Sequence, residues 1–258
     1  MLTIITITYN NFGDLKETLA SLPEDDLIEA IVVNGGNNKD TYEFLKTFKG
    51  KVINEKDEGI ADAFNKGIRI STGDAIMFLN SGDVLIEPAY PVEAYEILLK
   101  NRNIHFVHSN ILFLDSLGVE LLVKPSFCNP GRGMPYLHPT MIVRKSVFDK
   151  TGIFNANYKI AMDFDFVVRL TKKGYKGFYK EGNAVIKMEG SGISAKEELA
   201  AIKECYASLK QNQVVTLRNF IGLSERVTLY FLRRLLINIG AGSFLKSLKK
   251  RKYPIAIF

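Results

Sequence analysis

Residues 2–11, LTIITITYNN, decide the fold. From Leu2 to Thr8 the run is aliphatic or β-branched throughout and then stops at Tyr9-Asn10-Asn11. A short apolar stretch of this kind, bounded by turn residues, predicts a buried strand. Leu15, Leu19 and Leu22 follow at helical spacing up to Pro23, and the cycle then repeats. Ala30 to Val33 reads as a second strand, closed by Asn34-Gly35-Gly36, with Tyr42, Leu45 and Phe48 marking the next helix. Lys51 to Asn54 reads as a third strand, Ile60, Ala63, Phe64, Gly67 and Ile68 as a third helix, and Ala75 to Leu79 as a fourth strand. Strands alternating with helices over short connections predict right-handed βαβ units. The fold class is therefore α/β, a mostly parallel central sheet flanked by helices, with ligands gathering at the carboxyl ends of the strands.

After Pro91 the alternation weakens. Phe106 to Leu114 and Glu120 to Lys124 read as strands, and a Pro/Gly-rich loop from Pro125 to Pro135 leads to a further strand over Thr140 to Arg144. Asp163 opens a helix, Ala184 to Met188 is another strand, and a helix from Lys196 to about Gln211 closes the body. The chain divides into a body over 1–212, regular over 1–90 and less regular over 91–212, and a basic amphipathic helical tail over 213–258.

Hydrophobic residues form 47% of the 258 and charged residues 24%, the balance of a folded globular chain. Cys128 and Cys205 lie in no metal-like spacing, which fits a reducing cytoplasm. The N-terminus lacks the basic region of a signal peptide, and no apolar run reaches the ~18 residues of a membrane span. Charge is unevenly placed. Between Arg218 and Lys252 nine cations stand against Glu225 alone, a net +8 in a chain of +6, so the rest carries −2.

Each strand of the first half ends in polar residues: Thr8-Tyr9-Asn10, Asn34-Gly35-Gly36, Glu55-Lys56-Asp57 and Asn80-Ser81-Gly82-Asp83. Neither the G-x-G-x-x-G dinucleotide fingerprint nor the G-x-x-x-x-G-K-[ST] phosphate loop is present, which argues against a dehydrogenase or a P-loop NTPase. Gly82 allows a tight turn that presents Asp83 at the sheet edge. There Asp83 suits either an Asx-turn or a carboxylate ligand for Mg²⁺ or Mn²⁺, ions that need one or two protein carboxylates when diphosphate oxygens complete the shell. Asp163 and Asp165 lie about 200° apart on a helix and so perform different tasks.

Four blocks in order, Thr6 to Asn11, Val33 to Gly36, Asp57 to Gly67 and Thr72 to Asp83, resemble the family 2 glycosyltransferases with the GT-A nucleotide-diphospho-sugar transferase fold. The likeness continues through His138-Pro139-Thr140-Met141 and Ala161 to Asp165, and covers roughly Leu2 to Ser194. It implies an inverting transfer of sugar from a nucleotide-sugar donor, a UDP-sugar first, with Asp163 as catalytic base and Asp83 as metal ligand. It further implies donor contacts from Thr8, Tyr9, Asn10, Asn34, Asp62, Asn65, Lys66, Ser81 and Gly82. Two departures from the family involve three residues: Asn34 stands where an Asp commonly contacts the base, and Asn80 and Gly82 stand where a second acid is common.

Several of these residues have a structural alternative: Asn34 as a turn former, Asp62 and Lys66 as a solvated ion pair, and His138 as a buried ring. His138, Lys187 and Ser191 are candidates for acceptor or diphosphate, with the Gly190-Ser191-Gly192 loop resembling a segment that folds over donor. His105 and His108 read as structural.

In the extension, Leu232, Leu235, Leu236 and Ile239 form one helical stripe, with Arg226, Arg233 and Arg234 on the other side, ahead of Lys249-Lys250-Arg251-Lys252. Such a segment suits an anionic membrane surface, and equally suits packing on the body or on a second subunit as a homodimer. Nucleic acid is excluded as a partner by the absence of stacking platforms and of any binding motif. A saccharide or lipid-linked acceptor in bacterial surface polysaccharide synthesis, on the inner face of the plasma membrane, is the expected setting. A sugar-nucleotide-forming nucleotidyltransferase and a non-catalytic membrane-associated saccharide-binding protein are the rival classes; the first normally carries a glycine-rich basic loop after its first strand, and Thr8 to Phe12 is not one.

Overall fold

Strand β1 (Leu2–Thr8) is buried along its whole length and stands at the centre of the first half, between β2 (Ile28–Asn34) and β4 (Ala75–Asn80), both parallel to it. The computed structural model describes residues 1–115, 118–126, 129–190, 192–245 and 247. Strand β3 (Lys51–Asn54) pairs in parallel outside β2, and helices α1 (Phe12–Ala20), α2 (Lys39–Leu45) and α3 (Ile60–Ile70) make the crossovers. Alternation along each strand sorts side chains to two faces. Ile5, Ile7, Ile31, Val33, Ile76 and Phe78 meet α3 and Phe154, while Leu2, Ile4, Met77 and Leu79 meet Tyr90, Tyr95 and Leu98 of α4 (Tyr90–Lys100).

The sheet continues past β4 with mixed polarity. Strand β5 (Val84–Leu85) lies at the far edge, and β6 (Phe106–Leu114), β7 (Glu120–Val123), β8 (Ile142–Arg144) and β9 (Gly177–Glu189) complete the order β3-β2-β1-β4-β8-β6-β9-β5, with β7 beside β6. Strand β8 is antiparallel to β4 and β6, whereas β9 is parallel to β6. Remaining helices are α5 (Lys145–Thr151), α6 (Met162–Lys172), α7 (Ile193–Lys196), α8 (Glu198–Gln211) and α9 (Leu217–Asn238).

Four differences from the sequence reading have local causes. His138 to Thr140 forms a 3-10 turn, so β8 starts at Ile142 and not at Thr140. Strand β9 begins at Gly177, seven residues before Ala184, because its first half is polar and held by Ser109 Oγ on the Lys180 carbonyl and Asn110 Nδ2 on that of Gly182, both 2.7 Å. Helices α4 and α5 were not anticipated, although Tyr90, Ala94, Tyr95 and Leu98 are spaced for one face and Pro91 sits in the first turn, where its missing N–H costs nothing. The last helix of the body is two, broken at Glu197.

The extension is only partly separate from the body. Leu223 of α9 is buried with Ile202, Cys205 and Leu209 of α8 and Phe164 and Val168 of α6. Backbones approach closely where α9 crosses the 3-10 turn Pro130–Arg132: a Cβ on Gly131 would stand 2.0 Å from the Asn219 carbonyl oxygen, and one on Gly222 would stand 2.8 Å from the Gly131 carbonyl carbon. Among the described residues no helix is long and apolar enough to cross a membrane. The basic run Lys249 to Lys252 and Cys128 lie outside the described residues.

Candidate functional site

Parallel pairing brings the carboxyl ends of the first-half strands into line: Thr8 lies opposite Asn34, Asn34 opposite Asn54, and Ile7 opposite Asn80. Many polar groups there are used to build the edge itself. Asn34 is fully buried, donating to Asn54 Oδ1 at 3.1 Å and accepting from the Gly36 N–H at 3.2 Å. Asn10 holds a left-handed φ of 56° and its Oδ1 accepts from the N–H groups of Asn37 and Asn38 at 2.8 and 3.0 Å. Asn65 is turned inward, both ends of its amide bound to the Phe154 backbone at 2.8 and 2.9 Å. Lys66 bonds the Lys56 carbonyl at 2.6 Å and pairs with Glu55 and Asp62 at 3.0 and 3.2 Å.

These side chains are thus engaged within the protein, at the edge where the sequence reading places donor contacts. Asn10, Asn34, Asp62, Asn65 and Lys66 line neither of the two cavities at this edge. Asn65 thereby straps α3 to the Phe154 backbone, 89 positions further along the chain.

What does face open space is a smaller set. One cavity of about 470 Å³ is walled by Ile7, Thr8, Tyr9, Asn11, Asp57, Gly59, Ile60, Ala63, Asn80 and Ser81. Asp57 was missed as a site residue although its block was recognised. Its Oδ1 accepts from the Gly59 N–H at 3.0 Å, and its carboxylate lies so close over Gly35 that any Cβ there would overlap it. Tyr9, 67% exposed, and Ser81 also line a second cavity of about 760 Å³, together with Ile60 and Asn80. The two spaces meet at the turn after β4.

That turn is closed by Asp83. Its N–H donates to the Asn80 carbonyl at 2.9 Å, and its Oδ2 accepts from the Asn80 backbone N–H and Nδ2 at 2.9 and 3.2 Å. Gly82 takes φ +105° and donates to Thr18 Oγ1 at 2.9 Å, a conformation a side chain there would strain. No hydrogen bond to Asp83 Oδ1 forms among the described residues, so one oxygen holds the turn and the other is free for the cavity. Burial raises the Asp83 carboxyl to about 6, against the lowering effect of the two Asn80 bonds. Strand β5 begins at the next residue and pairs antiparallel with β9, setting Val84 opposite Lys187 and bringing that lysine to the same cavity.

Among the described residues no group of three or more His, Cys, Asp or Glu forms a metal cage. One buried carboxylate with a spare oxygen fits a hard divalent ion that arrives already bound to diphosphate, and does not fit an ion held by protein alone.

The opposite wall is built by α6. Its N-terminal backbone is held by Glu204 of α8, whose carboxylate accepts from the N–H groups of Lys159, Ile160 and Ala161 at 3.1, 2.9 and 2.8 Å. Asp163 follows in the first turn. Its Oδ1 accepts from the Phe164 N–H at 2.7 Å, and the carboxyl lines the larger cavity. Withdrawal from bulk water pushes its pKa up to about 6, backbone N–H groups restrain the rise, and nearby Glu204 adds to it. Asp165 turns the other way, as helix geometry requires. It is buried, accepting from Ser208 Oγ, Asn212 Nδ2 and Arg169 Nε at 2.9, 3.0 and 2.8 Å.

His138 also reaches this cavity. Its ring stacks on Phe78 at 5.5 Å, Nε2 is buried without a hydrogen-bond partner, and desolvation lowers its pKa to about 4, leaving it neutral near pH 7. Gly192, Ile193, Ser194 and Lys196 border the opening, whereas Ser191 lies outside the described residues. Asp14, Glu17 and Arg226 line the cavity as well and were not expected there.

Comparison with known proteins gives a consistent picture. Residues 3–111 match the family model described as Glycosyl transferase family 2. The chain is 23% identical over 189 residues to a PGL/p-HBAD biosynthesis glycosyltransferase of Mycobacterium tuberculosis, covering 66% of this chain and 69% of that protein. It is 26% identical over 189 residues to an uncharacterized glycosyltransferase of Haemophilus influenzae, covering 67% and 63%. Among solved structures, S. aureus TarS 1–349 in complex with UDP-GlcNAc superposes with a TM-score of 0.65 at 16% identity over 88% of this chain and 71% of that one. The mannosyltransferase PcManGT from Pyrobaculum calidifontis, in complex with GDP-Man and Mn²⁺, gives 0.63 at 15% identity over 95% and 80%.

Proposed function

This chain belongs to the family 2 glycosyltransferases of GT-A fold, enzymes of nucleotide-sugars, and on that premise we propose that it inverts the donor sugar during transfer to a hydroxyl of a lipid-linked saccharide. The observation that carries this reading is the meeting of two cavities at the Asn80 to Asp83 turn, with Asp83 buried on one wall and Asp163 on the other. The nucleoside occupies the smaller space. Tyr9 borders it, and the Asp57 carboxylate beside Gly35 accepts from a base N–H, the task an acid at Asn34 would have had. Uridine suits this arrangement, because its N3–H is a donor.

The sugar and acceptor share the larger space. Asp163, ionised above about pH 6, accepts the acceptor hydroxyl proton as its oxygen bonds the anomeric carbon and the bond to the diphosphate breaks. Attack from the side opposite the diphosphate inverts the configuration. Lys187 stands across from the residue after Asp83 and offsets negative charge on the leaving diphosphate. Asp83 Oδ1 would hold Mg²⁺ or Mn²⁺, which when bound supplies Lewis-acid stabilisation of that leaving group.

Lipid linkage is proposed from α9. Its outward face exposes Leu217, Ile221, Phe231 and Leu235 at 76%, 49%, 57% and 57%, in the segment that carries the chain's excess cations. This suits an anionic inner membrane face and the assembly of bacterial surface polysaccharide such as lipopolysaccharide, capsule or exopolysaccharide.

Thermal-shift titration with UDP-, GDP- and dTDP-sugars, with and without Mn²⁺, tests the donor. Stabilisation by one nucleotide class that needs metal and is lost in Asp83→Ala is expected; metal-independent binding unchanged in that variant overturns the assignment. Cosedimentation with vesicles containing anionic phospholipid, absent with neutral vesicles, is expected of the full chain.

A further inference from the structure

Arg226 lines the larger cavity from α9, and its Nη1 is buried with no hydrogen-bond partner among the described residues. At 3.6 residues per turn, Asn219, Gly222 and Leu223 fall within about 60° of it around the helix, whereas Leu217, Ile221, Phe231 and Leu235 fall about 140° or more away. The first set is buried and the second exposed. Sequence pattern alone put the arginines on a face away from the apolar stripe. The structure adds that this cationic face is the one turned to the protein.

Two other cations of the helix, further along it, have partners. Arg233, nearly in line with Arg226 and two turns further on, bonds Glu198 at 2.6 Å, and Arg234 bonds Tyr230 Oη at 2.7 Å. Arg226 makes no ion pair among the described residues. Its guanidinium is hydrogen-bonded to the Cys205 thiol, whose rise through burial it opposes, and the same thiol senses Asp163 and Glu204, so the unfilled donor is Nη1. Glu204 is committed to the start of α6. A guanidinium donor taken from water without an acceptor is costly, so this position is one that an anion from outside the chain completes.

We propose that Arg226 binds a phosphoryl group of the acceptor, on the Asp163 side of the cavity. The inference deepens the transferase reading and rests on it. The donor's diphosphate is accounted for at Asp83 and Lys187, on the wall formed by β4, β5 and β9, whereas Arg226 comes from the helix behind α6 and α8. A planar guanidinium offers a phosphoryl group two parallel donors. The order across α9 also fits an acceptor joined to lipid through phosphate. The apolar outer face meets lipid, Arg226 lies about one helix diameter, roughly 10 Å, inward, and Asp163 lies beyond it for the sugar hydroxyl.

Isothermal titration of full-length wild type, Arg226→Gln and Arg226→Lys tests this, with inorganic phosphate, farnesyl diphosphate and UDP plus Mn²⁺ as probes. Wild type is expected to bind both phosphoryl probes, and R226Q to lose at least tenfold on each, with R226K recovering part. UDP affinity is expected to change less than twofold in R226Q. Tighter binding of farnesyl diphosphate than of phosphate identifies the lipid-borne source, and equal binding identifies a soluble phosphorylated acceptor. Equal binding of the phosphoryl probes by wild type and R226Q overturns the proposal, as does a loss of UDP affinity as large as the phosphate loss, which would assign Arg226 to the donor. Failure of wild type to bind UDP, with phosphate binding still dependent on Arg226, overturns the transferase reading and retains the anion site. Should R226Q lose its cooperative melting transition, the same titrations on R226K decide: phosphate affinity equal to wild type in R226K overturns a bidentate role, and a several-fold loss supports it.

Discussion

The two walls of the larger cavity differ in how their polar groups are employed. Behind the nucleotide-side wall, Asn10, Asn34 and Asn65 are committed to hydrogen bonds within the protein, and on the wall itself Asp83 Oδ1 is left over among the described residues. On the acceptor side the polar groups that face the cavity have less support: Asp163 is held by backbone N–H groups alone, and Arg226 Nη1 has no hydrogen-bond partner among the described residues. Charge on one wall is spent on geometry; on the other it is held in readiness at a cost to stability. Substitutions should therefore act oppositely on the two walls, harming the fold on the first and the chemistry on the second.

The largest effect is expected from Asp163→Asn, with transfer falling about 10³-fold while UDP affinity stays near wild type. Steady-state turnover and nucleotide titration check it, and transfer at the wild-type rate by a folded variant breaks the base assignment. In the wild type, turnover should decline as pH falls through about 6, where that carboxyl takes up its proton. Asp57→Ala comes next, with a loss of about tenfold to a hundredfold in nucleotide affinity and a narrowed preference among bases, read by competition titration. Asn65→Ala is the converse, a stability loss of about 2 kcal/mol from stranded Phe154 backbone groups, seen as a fall in Tm of about 5 °C with KM for donor unchanged. A raised KM in that variant would return Asn65 to the binding set.

The smallest effect has the sign that separates the walls most sharply. Because the folded-state pKa of Asp163 is raised from 3.8 to about 6, the folded protein binds a proton between those values that the unfolded chain does not. Stability contributed by this residue therefore falls as pH rises through that window, and the full cost is present above about 6. Asp163→Asn should be more stable than wild type at pH 8, by on the order of 1–2 kcal/mol, with the gain vanishing near pH 4. Equal melting at both pH values would show that the carboxylate is not desolvated.

Legibility in the sequence follows the same division. The first four strands and their order were readable because each is a short apolar run closed by turn residues, and the blocks around Asp83 and Asp163 carried the family likeness. Helix α4 escaped because its buried set includes two tyrosines, and the first half of β9 escaped because GFYKEGN has no apolar period. The Asn65 strap escaped for a different reason: nothing local indicates that a helix residue bonds Phe154, 89 positions away. Arg226 reads as one more tail cation until the Gly131 and Gly222 contact shows that α9 is drawn against the body.

Strand β5 has only two residues, yet it ties Asp83 to β9 by way of Val84 and Lys187. A substitution that loosens this two-residue pairing is therefore felt at two points of the larger cavity at once, at the Asp83 turn and at Lys187.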